Sequence, residues 1–335
     1  MSNCLVHEFR DLYKKYSFND NAFLFKPIWH YTSVNGLTGI IQDNKSEHSK
    51  LHFWFTRSDC LNDTSEGSNV LELFQKSCLD LLNQGDISCE FYNHIKTCEI
   101  PTHQLINYPL PTKDDGVHTS MLDCVPCNAY ICSFSLKEDS LDMWRYYAKD
   151  NGGYGLKLNP YIFDCYKEYE YSEYDEKALF VKICSFKVIY DDCEKIKLLK
   201  QIISDTFLAY QNANTSESEK TDNAIYFLQF VLNNFQYQFK HHCFASEEEY
   251  RFVVYLPNSK PKELKNELPI IRYRTQDGMV IPYIDLVVEN GSIYLADVLI
   301  SPYIKNKTAL TTTNDYLKHC GFSCVARRSQ LPVRK

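Results

Sequence analysis

The chain has 335 residues, 44% of them hydrophobic and 24% charged, with a formal net charge of -7. That length buries one large core or two modest ones, and the balance excludes a disordered or fibrous chain. The negative charge leaves no electrostatic footprint for non-specific binding to nucleic acid or anionic lipid, and no apolar run is long enough to span a bilayer.

The first residues, 1–16, read as an amphipathic helix with Leu5, Phe9, Leu12 and Tyr16 on one side. A strand over 27–31 and a helix from Val34 to Ile41 follow, then a dense β run at 51–56. Asp59 and Asn62 or Asp63 offer caps for a helix from about Glu66 to Leu82. Residues 84–118 give only the outline of one more helix and a proline-punctuated loop. Strands are expected at 128–135 and 154–158, with a short helix at 142–149 between them and extended chain at 178–190. A helix over 192–211 leads to "NANTSESEKTDN" at 212–223, which reads as a polar loop, and then to a helix over 224–241. "SEEEYRFVVYL" runs from a polar end into a strand, and strands at 269–274, 279–287 and 297–301, a helix at 308–319 and a strand at 322–326 complete the chain. This mixture lacks strict βαβ alternation, so the expected class is α+β. The expected domain plan is one domain over 1–335, with an N-terminal helix in 1–26 and a helical insertion at 190–241.

Fourteen scattered cysteines with no apolar leader before them point to reduced thiols in a cytoplasmic protein. Cys124 and Cys127, near Cys132 and His118, have zinc-ligand spacing, but no second Cys-x-x-Cys accompanies them and a turn at Pro126 explains the pair. The other compact cluster is His241-His242-Cys243. Gly152-Gly153-Tyr154-Gly155 precedes a strand rather than a helix, which excludes a dinucleotide fingerprint there.

Three polar sets fall at strand ends. His30, Tyr31 and Thr32 close the first strand, and alternation puts Ser133 and Ser135 on one face of another. Glu247, Glu249 and Arg251 share a side if the later strand already includes Glu249. Each set has a plainer explanation: a packed core histidine, two incidental serines, a solvated helix start.

Taken in order, "HYTSVNGLTGII", "LHFWFTRSDCLNDTSEG", "CSFSLKEDSLDMWRYYAKDNGGYGLKL", "EEEYRFVVYLP", "VLISPYI" and "SQLPVR" resemble a widespread bacterial family known only as a domain of unknown function. Its opening segment is similar to the start of ADP-ribosyltransferase-like proteins, among them DNA-modifying toxins and RNA 2′-phosphotransferases. The resemblance implies an α+β, ADP-ribosyltransferase-like sheet core, with NAD as the substrate consumed and no metal. It also implies a nucleic-acid or protein acceptor, no membrane association, and a role as a toxin or anti-phage effector. Glu249, Glu247 and His30 become the catalytic candidates. His30, Tyr31, Thr32, Ser133, Ser135, Tyr147 and Arg251 become the NAD-binding candidates, with Tyr31 or Tyr147 stacking on nicotinamide and Arg251 meeting the pyrophosphate or a glutamate. A late-strand carboxylate suits this chemistry, because cleaving the nicotinamide–ribose bond builds oxocarbenium character that an anion stabilises. Two other readings stand beside it: a non-catalytic nucleotide- or partner-binding module on the same fold, and a metal-dependent nuclease using Asp63, Glu66 and Glu247. The first reading requires His30, the Ser-x-Ser strand and Glu249 to converge in space.

Overall fold

The structure is a computed structural model that describes residues 7–16, 26–42, 49–61, 68–100, 104–107, 124–148, 152–164, 166, 182–258, 268–276 and 278–333. Among the described residues eleven strands form one mixed sheet, and every pairing is antiparallel except that of the last two strands. Together with the helices this is an α+β architecture. Its first strand, β1 (Ile28–Ser33), hands directly into α2 (Val34–Ile40); the Ser33 side chain caps that helix by accepting from the Gly36 N–H. The one described helix before it is α1 (His7–Tyr16).

The long strand β4 (Cys124–Ser135) organises the sheet. On one edge it pairs with β7 (Glu249–Pro257), from Cys127↔Pro257 through Ser135↔Glu249. Its other edge is shared. β1 meets it only at Trp29↔Ser135, and β2 (Lys50–Arg57) meets it at Thr56↔Ile131 and Arg57↔Tyr130. β3 (Gln104–Asn107) pairs with its first residues.

From β1 the sheet continues through β5 (Gly153–Leu158), β10 (Leu295–Ile300) and β11 (Ala326–Arg328). From β2 it continues through β9 (Met279–Glu289) to β8 (Ile271–Gln276). β6 (Lys182–Lys187) extends it beyond β7. At Gly153 a side chain is impossible, because a Cβ would stand 2.1 Å from the Thr32 carbonyl oxygen.

One core lies within the curve of the sheet and joins Phe53, Phe55, Phe134, Leu156, Phe163, Phe252, Ile284 and Val298 to α2 and to α8 (Ala309–His319). A second core is mainly helical. It gathers α1 with α3 (Ser68–Gln84), α4 (Cys89–Ile95), α6 (Asp192–Asn212) and α7 (Glu217–Gln238). The 190–241 segment therefore packs on helices from the first hundred residues. Tyr237 of α7 joins this layer to the outer face of β4 and β7, against Ala129, Ile131, Val253 and Tyr255. No helix among the described residues is long and apolar enough to cross a membrane.

The polar stretch 212–223 is not a loop over its whole length. α7 begins at Glu217, because Ser216 and Glu219 form a reciprocal capping box that satisfies the first free N–H groups. Ala224, Phe227, Leu228, Val231 and Leu232 are then buried, each contributing up to about 1.5–3 kcal/mol for the larger side chains. In the segment that sequence left open, Ser88 caps α4 by accepting from the Phe91 N–H at 3.1 Å. Ser216→Ala is expected to cost about 0.5–2 kcal/mol of stability, read as a lower urea midpoint with an unchanged slope.

Candidate functional site

Since β1 and β2 share one edge of β4 and then part, the sheet is open between them. A cleft of about 730 Å³ occupies the opening. His30, Thr32, Phe53, Thr56, Ser133, Tyr147, Glu249 and Arg274 contribute to its lining. His30 reaches over the gap, with Nδ1 3.2 Å from the Ser133 carbonyl oxygen. Donation of Nδ1–H to that carbonyl leaves Nε2 as an acceptor. Burial depresses the imidazole to about 4, although the Ser133 contact opposes the shift, so His30 is neutral near pH 7.

Register places the predicted residues on two faces. Trp29, Ser135 and Glu249 are successive cross-strand partners and share one face. His30 points the other way, its ring 5.6 Å from Phe53 and 5.2 Å from Phe134. The two faces meet where the sheet is open, so His30 and Glu249 line one cleft from opposite sides of the strand plane.

At the floor is a buried ionic cluster. Lys240 Nζ lies 2.8 Å from Glu247 Oε2 and 3.1 Å from Glu249 Oε2. Arg251 NH2 holds the same Glu249 oxygen at 2.8 Å and NH1 donates to the Tyr237 carbonyl at 2.9 Å. Glu247, Glu249, Lys240 and Arg251 are 5%, 3%, 8% and 1% exposed, so these charges hold one another with little solvent. Burial pushes the Glu249 carboxyl up, but Arg251, Lys240 and the Ser133 hydroxyl outweigh it and hold the group below its ordinary value. At Glu247 burial prevails over Lys240 and the group is raised. Lys240 stays protonated, because the two carboxylates outweigh its own desolvation.

Several expected roles change. The strand starts at Glu249, so Glu247 belongs to a preceding 3₁₀ turn rather than to the alternation. Glu248, in a left-handed conformation with φ 42°, turns the chain, and Lys240 draws the two carboxylates together. Arg251 is committed to Glu249 and the Tyr237 carbonyl, which removes it as a pyrophosphate contact. Tyr31 is structural: its hydroxyl donates to the Lys137 carbonyl at 2.8 Å and accepts from Ser140 N–H, and its ring packs edge-on against Trp144. Ser135 donates to the Glu247 carbonyl at 2.7 Å and accepts from Lys137 N–H, so it braces the turn.

Tyr147 remains as the aromatic wall. It sits on a π turn, Trp144–Ala148, that continues the short helix α5 (Leu141–Met143). Asp139 anchors this turn by accepting from the Trp144 indole at 2.8 Å, and it also binds the Ser329 hydroxyl and the Gln330 N–H. The terminal "SQLPVR" motif is thus clipped beside the site.

Sequence reasoning missed Lys240 and Arg274. Lys240 is hidden beside a conspicuous His-His-Cys cluster, and Arg274 is signalled only by a strand that carries arginines at alternate positions. Asn62, Asp63, Glu66 and His118 lie outside the described residues, and of Cys124 only the backbone is described. Among the described residues the grouping of carboxylates and histidine at metal-ligand distance is Glu90, His94 and Glu217, which does not line the cleft.

Residues 143–252 match a family model described as Protein of unknown function (DUF2971). The matched segment carries Tyr147, Lys240 and the Glu247–Arg251 cluster. No curated protein and no solved structure matches the chain.

Lys240→Met leaves Glu247 and Glu249 to share one guanidinium. It is expected to destabilise the fold by about 3–5 kcal/mol in chemical denaturation, with part recovered on adding Glu247→Gln. His30 generates a pH dependence. An unfolded imidazole takes a proton at its ordinary 6.5 and the folded one only at about 4, so its contribution is complete above 6.5 and is lost as pH falls toward 4. The stability of His30→Asn, measured by denaturation across that window, is expected to fall less steeply than that of the wild type.

Proposed function

We propose that the chain is an ADP-ribosyltransferase-like enzyme that consumes NAD in the cleft between β1 and β2. The observation that supports this reading is the Ser133–Glu249 pair in that cleft, whose lining also includes the ring of Tyr147 and, from the other side of the strand plane, the neutral His30. The volume lies within the range of about 300–1,000 Å³ usual for small-molecule sites. Donors, an aromatic wall and an ionised carboxylate are the features a nicotinamide riboside requires.

In this reading Glu249 accepts from the ribose 2′-hydroxyl and faces the positive charge that develops at the anomeric carbon. Arg251 and Lys240 keep it ionised for that purpose. His30 Nε2, an acceptor, suits a ribose hydroxyl and not a phosphate. Ser133 orients the carboxamide and Tyr147 stacks on the nicotinamide ring. Glu247, buried behind Glu249 and with a raised affinity for a proton, would serve in this reading as the base for an acceptor, a nucleic acid or a protein.

A second reading has its own support. Glu249 is 3% exposed and both cations hold its Oε2, which weakens the field it offers a developing cation. That arrangement favours a module that binds a nucleotide without cleaving it.

Release of nicotinamide from NAD by the purified full chain, alone and with cell lysate, separates the two. The enzyme reading expects release by the wild type and a loss of about 10²–10³-fold in Glu249→Gln, comparable to removing one preorganised electrostatic contact. NAD binding without release, unchanged in the variant, would favour the binding module. Neither release nor binding would sink both.

A further inference from the structure

We infer that Arg274 is the anion-binding residue of the cleft and that it takes a phosphate group of the ligand. Arg274 stands on β8, and the β8–β9–β2 order carries it to the β2 side of the opening. Its guanidinium is partly buried beside a tilted pair of rings whose centres are 4.6 Å apart, 5.4 Å from the centre of Trp54 and 5.8 Å from that of Tyr283. These contacts fix its plane at a modest energetic gain and leave its edge for polar partners.

Those partners are scarce. NH2 donates to Thr56 Oγ1 at 2.9 Å. Nε is closed off from solvent and makes no hydrogen bond with a described residue. A guanidinium has five N–H donors in a fixed fork, so most of this one is unused by the described residues. The neighbours that act on its charge are Tyr283 and Cys132, neither of them a carboxylate. A partly buried cation in that position carries a desolvation cost that an anion would offset through short, charge-assisted hydrogen bonds.

Glu249 is held by Lys240 and Arg251, and burial keeps His30 neutral near pH 7. Among the described lining residues Arg274 is the one lysine or arginine, and its described side-chain partner is a hydroxyl rather than a carboxylate. This identity of ligand chemistry stands without the NAD reading. Only the placement of the dinucleotide rests on that reading, with its diphosphate on Arg274 and its nicotinamide riboside toward Ser133 and Glu249.

The test is calorimetric titration of the full chain with inorganic pyrophosphate, ADP-ribose and nicotinamide, for wild type, Arg274→Gln and Arg274→Lys. Thermal unfolding of each variant verifies that it is folded. The expected result is tighter binding of ADP-ribose than of pyrophosphate, with both weakened about tenfold or more in Arg274→Gln and partly restored in Arg274→Lys. Nicotinamide binding should be unchanged. Equal phosphate affinity in wild type and folded Arg274→Gln, or no phosphate binding by the wild type, would overturn the assignment. Pyrophosphate binding that needs Arg274, without tighter binding of ADP-ribose and without nicotinamide release, would support Arg274 as an anion site while refuting the NAD reading.

Discussion

One edge of β4 cannot satisfy two strands along its whole length. β1 takes it at Ser135, β2 takes it at Tyr130 and Ile131, and the residues between face an opening. Backbone groups there need partners other than a neighbouring strand, and the Ser133 carbonyl finds one in His30. The cleft, the position of the histidine and the access to Glu249 from β7 all follow from that divided edge. The continuous pairing on the opposite edge, from Cys127 to Ser135, keeps β4 fixed while its partners diverge.

The sequence made the strands and most helices legible, since β1, β2, β4, β7 and β9 are dense in β-branched and aromatic residues. It also pointed to the residues that now surround the cleft. It misjudged the start of α7, where a twelve-residue, mostly polar stretch looked like a linker; a Ser-x-x-Glu signature within it was the information that mattered. It could not reveal the ion-pair partners. Lys240 follows the end of one helix while Glu249 begins a strand, and nothing in their spacing states that their charges meet. Pairing order was equally hidden. Alternation along one strand tells which residues share a face, but the division of an edge between two strands is a fact of tertiary pairing.

Arg251 and Tyr31 illustrate how burial reassigns a plausible ligand contact. Each has the chemistry expected of a binding residue, and each spends its polar atoms inside the protein: Arg251 on Glu249 and the Tyr237 carbonyl, Tyr31 on the loop after β4. Removing such groups would leave orphaned donors and acceptors, so loss of activity on mutating them would report on the scaffold as much as on recognition.

The charges of the site divide into two kinds. Glu247, Glu249, Lys240 and Arg251 balance within a few ångströms, so their cluster presents a fixed local field with no net charge to attract a ligand. Arg274 lies on the other side of the opening with most of its donors unspent among the described residues and with aromatic rings beside it. Attraction and positioning are thereby assigned to different walls. In the proposed reading an anionic group meets Arg274, and whatever is joined to it extends past His30 toward a floor whose polarity is set before the ligand arrives. A preorganised floor does not have to reorient its dipoles during a reaction, which is the condition under which buried electrostatics aid chemistry rather than merely binding.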